Sequence, residues 1–399
     1  MTAVSARLPA IDALRGIALF GILVVNLAGF HSGISGAIGG GVADSATNAV
    51  ILWLFAGKFI LIFSFLFGWG VHTQAAHEAF RARYLRRLLG LFLIGVVHGA
   101  FFFSGDILAA YAILGLFMLR PVLCDWPVRK LVRSAVILLS VQALIFLAPF
   151  MLGMLGTNGD ASVGEYAKHS AQLYMTGGFW EVVPQRFADF ANTLVAGLFY
   201  GWGLVAMFWL GLAAAKTFAE GGIAAARPLA RRIALLALPA GLVANAVCAV
   251  LQITVPGKWA LIAFLVQNAL FMPLLTLGYL AAAALILTSR AADRIVAVLG
   301  PAGRMSLSVY VGESVIMSLL FHGYGLGLAK SIGSSAGVLV CVAVYAALLG
   351  FSHLWLGAFR MGPLDWLLRS ITEWRWLGLR RGREVAAAPA PSLAGAHNW

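Results

Sequence analysis

Apolar residues in this chain neither alternate nor keep to one narrow helical stripe. They fill whole turns, in runs long enough to cross the roughly 30 Å of a bilayer's hydrocarbon core. Ten such runs stand out, near residues 10–31, 48–72, 84–103, 105–123, 131–153, 190–215, 232–253, 259–287, 304–323 and 335–359. The pattern predicts an all-α fold, a polytopic transmembrane bundle of about ten spans over residues 1–382. Between the runs the basic residues segregate. Arg81, Arg83, Arg86 and Arg87, then Arg120, Arg129, Lys130 and Arg133, then Arg227, Arg231 and Arg232, then Arg290, Arg294 and Arg304, and the tail from Arg360, all fall on one side. The other side holds chiefly Lys168, Arg186, Lys258 and Lys330. Basic residues gather in cytoplasmic loops, so both termini are expected in the cytoplasm. On the outer side the turn 32–47 is rich in Gly and Ser. The longer segment 154–189 is expected as a helix lying on the membrane, a lid or a linker. Residues 383–399, with Ala-Ala-Ala-Pro-Ala-Pro, carry no periodic apolar face and are expected to be a disordered cytoplasmic tail.

Composition agrees with the pattern. A mean hydropathy of +0.92, with 61% hydrophobic and 11% charged residues, excludes an ordinary soluble globule. The net charge of +13 is what an arginine-rich cytoplasmic face supplies, so no nucleic-acid partner is inferred. The first apolar run lacks a small-residue cleavage site and is expected to stay as a spanning helix. Cys124, Cys248 and Cys341 lie in separate apolar stretches, which gives neither a disulfide framework nor a metal-ligand spacing.

Against this background a few polar residues stand out. His98 and Asp106 flank the turn Ser104-Gly105 in a hairpin of two apolar runs between Arg86 and Leu119. An unpaired polar group there costs several kcal/mol, so each needs a partner close by. The turn places Asp106 at a helix N-terminus, where the macrodipole favours an anion, within reach of the imidazole. Lys58 falls about a third of the way into the second run from the same side. A lysine there is unfavourable by about 3 kcal/mol, so it is expected to pair with Asp106 or to line a watery pocket. At the opposite end, Asp12 and Arg15 share a helix face at i,i+3. They read either as an interfacial anchor or as a guanidinium fork held ready for a phosphate. Asn26 and His31 finish the first helix on the outer side, with His31 expected at the exposed rim. Glu313 falls mid-membrane in the run 304–323, sharing a face with Tyr310, and is either a functional carboxyl or part of a hydrogen bond between helices. Gln142, Gln252, Gln267 and Asn268 read as interhelical glue.

Taken in order, several stretches resemble the YeiB-like family of bacterial multispanning proteins, a domain of unknown function. They are Ile11-Asp12-Ala13-Leu14-Arg15-Gly16 with Asn26, Gly57-Lys58-Phe59 with Phe63-Ser64-Phe65, and His98-Gly99 with Gly105-Asp106-Ile107-Leu108 and Tyr111. Tyr200-Gly201-Trp202, Gly303-Arg304-Met305-Ser306-Leu307, Tyr324-Gly325-Leu326-Gly327 and Gly362-Pro363-Leu364-Asp365-Trp366 complete the set, which runs from the first span to the last. Through its Asp-x-x-Arg-Gly pattern the family is distantly similar to transmembrane acyltransferases, the acyltransferase-3 proteins and the heparan-glucosaminide acetyltransferase among them. That resemblance implies a multi-pass protein of the bacterial inner membrane. It implies acyl-CoA, with acetyl-CoA foremost, as co-substrate bound from the cytoplasm and no metal. The acceptor would be a periplasmic sugar, lipid or small molecule. Arg15, with Asp12 and Arg304, would hold the CoA phosphates; His98 would be the general base, Asp106 its orienting carboxylate and Lys58 the oxyanion donor. Glu313, Tyr111, Tyr310, Asn26 and His31 are candidates for substrate contact. Membrane lipid surrounds the bundle, and a homodimer is compatible with it. The chain departs from the family in carrying Val309 where Asn is usual and Glu313 where Gln is common. Two other functions stay open: a transporter whose path uses Lys58, Asp106 and Glu313, and a structural protein whose buried charges set helix register.

Overall fold

The computed structural model describes residues 8–32, 41–151, 161–255 and 257–381. The expected tail 383–399 and parts of the segments 32–47 and 154–189 lie outside them. The described residues form helices, and the single β-bridge among them joins Phe359 to Arg380. Among the described residues, eight helices are long and apolar enough to cross a membrane, nine if one bent pair counts as a span. The protein is therefore a multi-pass membrane protein of all-α architecture.

Helix α1 (Pro9–Ser32) runs through the centre. Ala13, Ala18, Leu19, Leu23, Leu27 and Phe30 are all but inaccessible, as expected of a helix apolar on every side. It packs on α3 (Lys58–Ala75), α13 (Asp293–Arg304), α14 (Ser306–Phe321) and α15 (Ser334–Ala358). The tightest of these contacts is with α13. A Cβ on Gly16 would stand 2.6 Å from the Leu299 carbonyl oxygen, and one on Gly303 would run into the carbonyl of Asp12. Small residues let backbones meet where no hydrophobic force drives helices together.

The remaining helices frame this centre. α2 (Val42–Val50) passes through a π-helical turn, Ile51–Phe55, before the chain breaks and α3 starts. α4 (Phe80–Phe101) leads through the Ser104-Gly105 turn to the short α5 (Leu108–Leu114), a 3₁₀ turn and α6 (Leu119–Leu123). The run expected as a span over 105–123 is thus apolar but interrupted, and too short to cross at 1.5 Å per residue. α7 (Val128–Met151) follows.

The segment 154–189, expected as a helix on the membrane, a lid or a linker, contains among its described residues α8 (Ala161–Thr176) and the start of α9 (Phe179–Tyr200). The run 190–215 is not one helix, because the chain breaks at Gly201 before α10 (Trp202–Thr254), itself kinked at Gly222. α10 packs most extensively on α3, α7 and α12 (Met272–Leu287), which is reached through α11 (Lys258–Val266) and a second π turn, Gln267–Phe271.

The run 304–323 is likewise only part of a bent pair. α13 and α14 meet at 78°, and the backbone donors exposed by that bend are taken up from elsewhere. Asp365, on the amphipathic α16 (Pro363–Glu373), accepts the N–H groups of Leu307 and Ser308 at 3.3 and 3.2 Å and the Ser308 hydroxyl at 2.7 Å. An acidic cap at a helix N-terminus satisfies its orphan donors and complements its dipole.

Candidate functional site

His98 and Asp106 meet as the hairpin predicts. His98 Nδ1 donates to Asp106 Oδ1 at 2.8 Å, and both residues are buried. The second carboxylate oxygen accepts the Ala109 N–H at 2.9 Å, so the first turn of α5 fixes the acid. Gly95, one turn before His98, makes room for this: a Cβ there would stand 2.5 Å from Ala109 N and 2.8 Å from Asp106 Oδ2. With Nδ1 turned to the carboxylate, Nε2 is the imidazole's other nitrogen, and that atom is buried with no hydrogen-bond partner. The Tyr310 ring lies 5.1 Å from the imidazole and the Phe103 ring 6.4 Å. The arrangement is an imidazole oriented by a carboxylate, with its outer nitrogen unengaged.

At the other end of α4 a cavity of about 570 Å³ opens. Arg15, Arg83, Arg87, Arg304 and Arg369 line it, against the carboxylates of Asp12, Asp365 and Glu373. Asp12 and Arg15 form the expected ion pair at 3.3 Å. Arg83 pairs with Glu373, which docks α16 onto α4. Burial pushes the Asp365 carboxyl above its ordinary range, against the pull of its Ser308 and Leu307 donors. Five arginines against three carboxylates leave the cavity cationic, and guanidinium forks suit phosphate.

The cavity does not include His98 among its lining residues. Phe63, Leu66 and Phe67 also line it. The rings of Phe63 and Phe67 lie 6.3 and 5.9 Å from that of Tyr111, on the helix that Asp106 anchors. Ser306 lines the cavity, and Tyr310, in contact with His98, comes one turn or about 6 Å further along α14.

Lys58 is not where the sequence suggested. It is fully buried, but its Nζ donates to the Leu52 carbonyl at 2.7 Å and makes no pair with Asp106. The π turn and the break before α3 leave that carbonyl without a helical partner, and the amine six residues on takes it, joined by Gln267 Nε2 at 3.1 Å. Gln267 continues to Asn245 and Gln252, so interhelical glue describes this cluster. Asn268 instead returns to the Phe264 carbonyl of its own helix. His31 is likewise not at an exposed rim. It is buried against the Phe321 ring, with its two nitrogens at 3.3 and 3.0 Å from the carbonyls of Leu27 and Ile332. Tyr111 is committed to the Ile60 carbonyl at 2.7 Å and to Ser64, and Tyr310 accepts the Ile107 N–H at 3.4 Å. Asn26 is half-buried on α1. Glu313 is buried, and its Oε1 has no hydrogen-bond partner.

The family model described as protein of unknown function (DUF418) matches residues 213–375. Over 96% of its length the chain is 30% identical to the uncharacterized protein YxaH of Bacillus subtilis (strain 168), of which it covers 98%. The chain belongs to the DUF418 family. It is also 29% identical to the uncharacterized protein YeiB of Escherichia coli (strain K12), over 96% of this chain and 97% of that one. The part matched by the DUF418 model contains Arg304, Tyr310, Glu313 and Asp365, and the full-length relatives extend the likeness across α1 and α4 as well.

This DUF418 chain also carries a site that sequence reasoning missed. Arg186, on α9, is completely buried, with His322 and Tyr324 of the turn after α14 as neighbours. Its Nη1 donates at 2.5 Å to the carbonyl of Phe101, three residues beyond His98. A lone arginine on the arginine-poor side, after Pro184 in an apolar stretch, was the available signal.

Proposed function

We propose that this protein is an acyltransferase that takes an acyl group from acyl-CoA, acetyl-CoA foremost, and passes it to a hydroxyl or amine of an acceptor reaching the opposite end of the bundle. The observation that carries this reading is the oriented pair His98–Asp106 with Nε2 unengaged. The cationic cavity around Arg15 and Arg304 would hold the CoA phosphates, with the acyl arm directed towards the aromatic floor. His98 Nε2 takes the proton as the acceptor oxygen or nitrogen bonds to the thioester carbon, and it returns that proton to the sulfur as the C–S bond breaks. Free CoA leaves on the side where acyl-CoA entered. Asp106 holds the ring and stabilises the imidazolium formed in between. On this reading the arginine-rich end is cytoplasmic, by the distribution of basic residues. For the reaction to proceed, the side chains between cavity and imidazole must part.

The experiment uses membranes containing the protein and acetyl-CoA labelled in the acetyl group. A labelled product is expected from wild type and not from His98→Gln; equal labelling in both overturns the reading. The transport alternative requires Lys58, Asp106 and Glu313 to line one path. Each has separate surroundings, with Lys58 on a carbonyl, Asp106 on His98 and Glu313 unpartnered at Oε1. Acyl transfer is therefore the reading retained.

A further inference from the structure

Arg186 is a buried cation without a carboxylate. Its Nη2 stands 3.1 Å from the Tyr324 hydroxyl and 3.2 Å from His322 Nδ1, Nη1 is on the Phe101 carbonyl, and no acid pairs with it among the described residues. Asp189, one turn along α9, does not serve. Its two oxygens are taken by the hydroxyls of Tyr166, Ser170 and Tyr174 and by Gln185, which tie α8 to α9. Breaking charge balance in an apolar interior costs several kcal/mol, so a lone arginine is retained where something brings it an anion.

Arginine only donates, so His322 Nδ1 is an acceptor, and the imidazole proton must sit on Nε2. That Nε2–H has no acceptor, and neither has Arg186 Nε–H. Two buried N–H donors of one cluster thus lack partners, a condition that an acceptor-only group would satisfy. The cluster belongs to the end of the bundle that carries the oriented base. The Phe30 ring is 6.1 Å from His322 and 4.5 Å from Phe103, which in turn is 6.4 Å from His98.

We propose that Arg186 and His322, with Tyr324, form an anion-recognising subsite that binds a carboxylate or phosphate carried by the acceptor and so holds its nucleophile near His98. This rests on the acyl-transfer reading for its purpose, but not for its chemistry. α8 closes the subsite: the Tyr174 ring lies against the Arg186 guanidinium at 5.4 Å and its carbonyl accepts the Gly323 N–H at 2.9 Å. Entry of the anion then requires α8 to part from α9.

The test measures binding by calorimetry on the full-length protein in detergent, in an Arg15→Gln background that weakens the cationic cavity. The probes are glucuronate, inorganic phosphate and, as an uncharged control, glucose. Binding of glucuronate or phosphate but not glucose is expected, weakened about tenfold or more by Arg186→Gln and several-fold by Tyr324→Phe. Glucuronate alone marks a carboxylate ligand, and phosphate alone a phosphorylated or phospholipid one. No anion binding, or binding unchanged in folded Arg186→Gln, overturns the subsite; if Arg186→Gln does not fold, unchanged binding in Tyr324→Phe does so. The two readings fail separately. Anion binding together with undiminished transfer by His98→Gln sinks the acyl-transfer reading alone, and His98-dependent transfer without anion binding sinks the subsite alone.

Discussion

Asp106 accepts the Nδ1 proton of His98 at 2.8 Å while its other oxygen is held by the Ala109 N–H at 2.9 Å. The acid is therefore fixed by backbone before it orients the imidazole. Asp106→Asn keeps the size but removes the charge that selects the tautomer and stabilises the protonated ring. Transfer from acetyl-CoA is expected to fall by about 10²–10⁴-fold, with near-normal CoA binding. Labelled-acetyl assays on membranes, paired with CoA titrations, check this, and a transfer rate within a few-fold of wild type would show that the carboxylate does not orient a base.

Gly95 supplies the space for that pair. In Gly95→Ala the new methyl would meet Ala109 N at 2.5 Å and Asp106 Oδ2 at 2.8 Å, so the start of α5 must move away from α4. A loss of stability of about 1–3 kcal/mol is expected, together with a loss of transfer. Thermal unfolding in detergent measures the first. An unchanged midpoint would mean that the hairpin yields freely and that the close approach is incidental.

The hairpin was legible because two polar groups in apolar sequence, with a Ser-Gly turn between them, leave few other partners within reach. The pairing of Asp12 with Arg15 was legible from helical spacing alone. Lys58 was not. Its partner is a carbonyl freed by the π turn Ile51–Phe55, and nothing in composition marks a π turn. Arg186 was hidden for a related reason: a surface helix, a lid and a linker all fit the pattern of 154–189, whereas the described part of it is two helices tied by Asp189. The sequence likewise carried α9 into α10 across Gly201, since hydropathy does not register a one-residue break.

Arg15 stands in the cationic cavity with its fork steadied by Asp12. If the cavity holds the CoA phosphates, Arg15→Gln should raise the Kd for CoA by about 10–100-fold, the range of one lost charge-assisted contact. The residual binding should depend less steeply on salt than that of wild type. Calorimetry at two ionic strengths reads both, and equal affinities would remove Arg15 from the donor site.

Lys58 gives the converse expectation. Lys58→Met removes a buried amine but leaves the Leu52 carbonyl with its bond from Gln267 at 3.1 Å. Replacing a buried charged group by an apolar one of similar size is often neutral or stabilising, so the unfolding midpoint should stay or rise, and transfer should remain within about twofold. A collapse of transfer with an intact fold would restore Lys58 to the reaction.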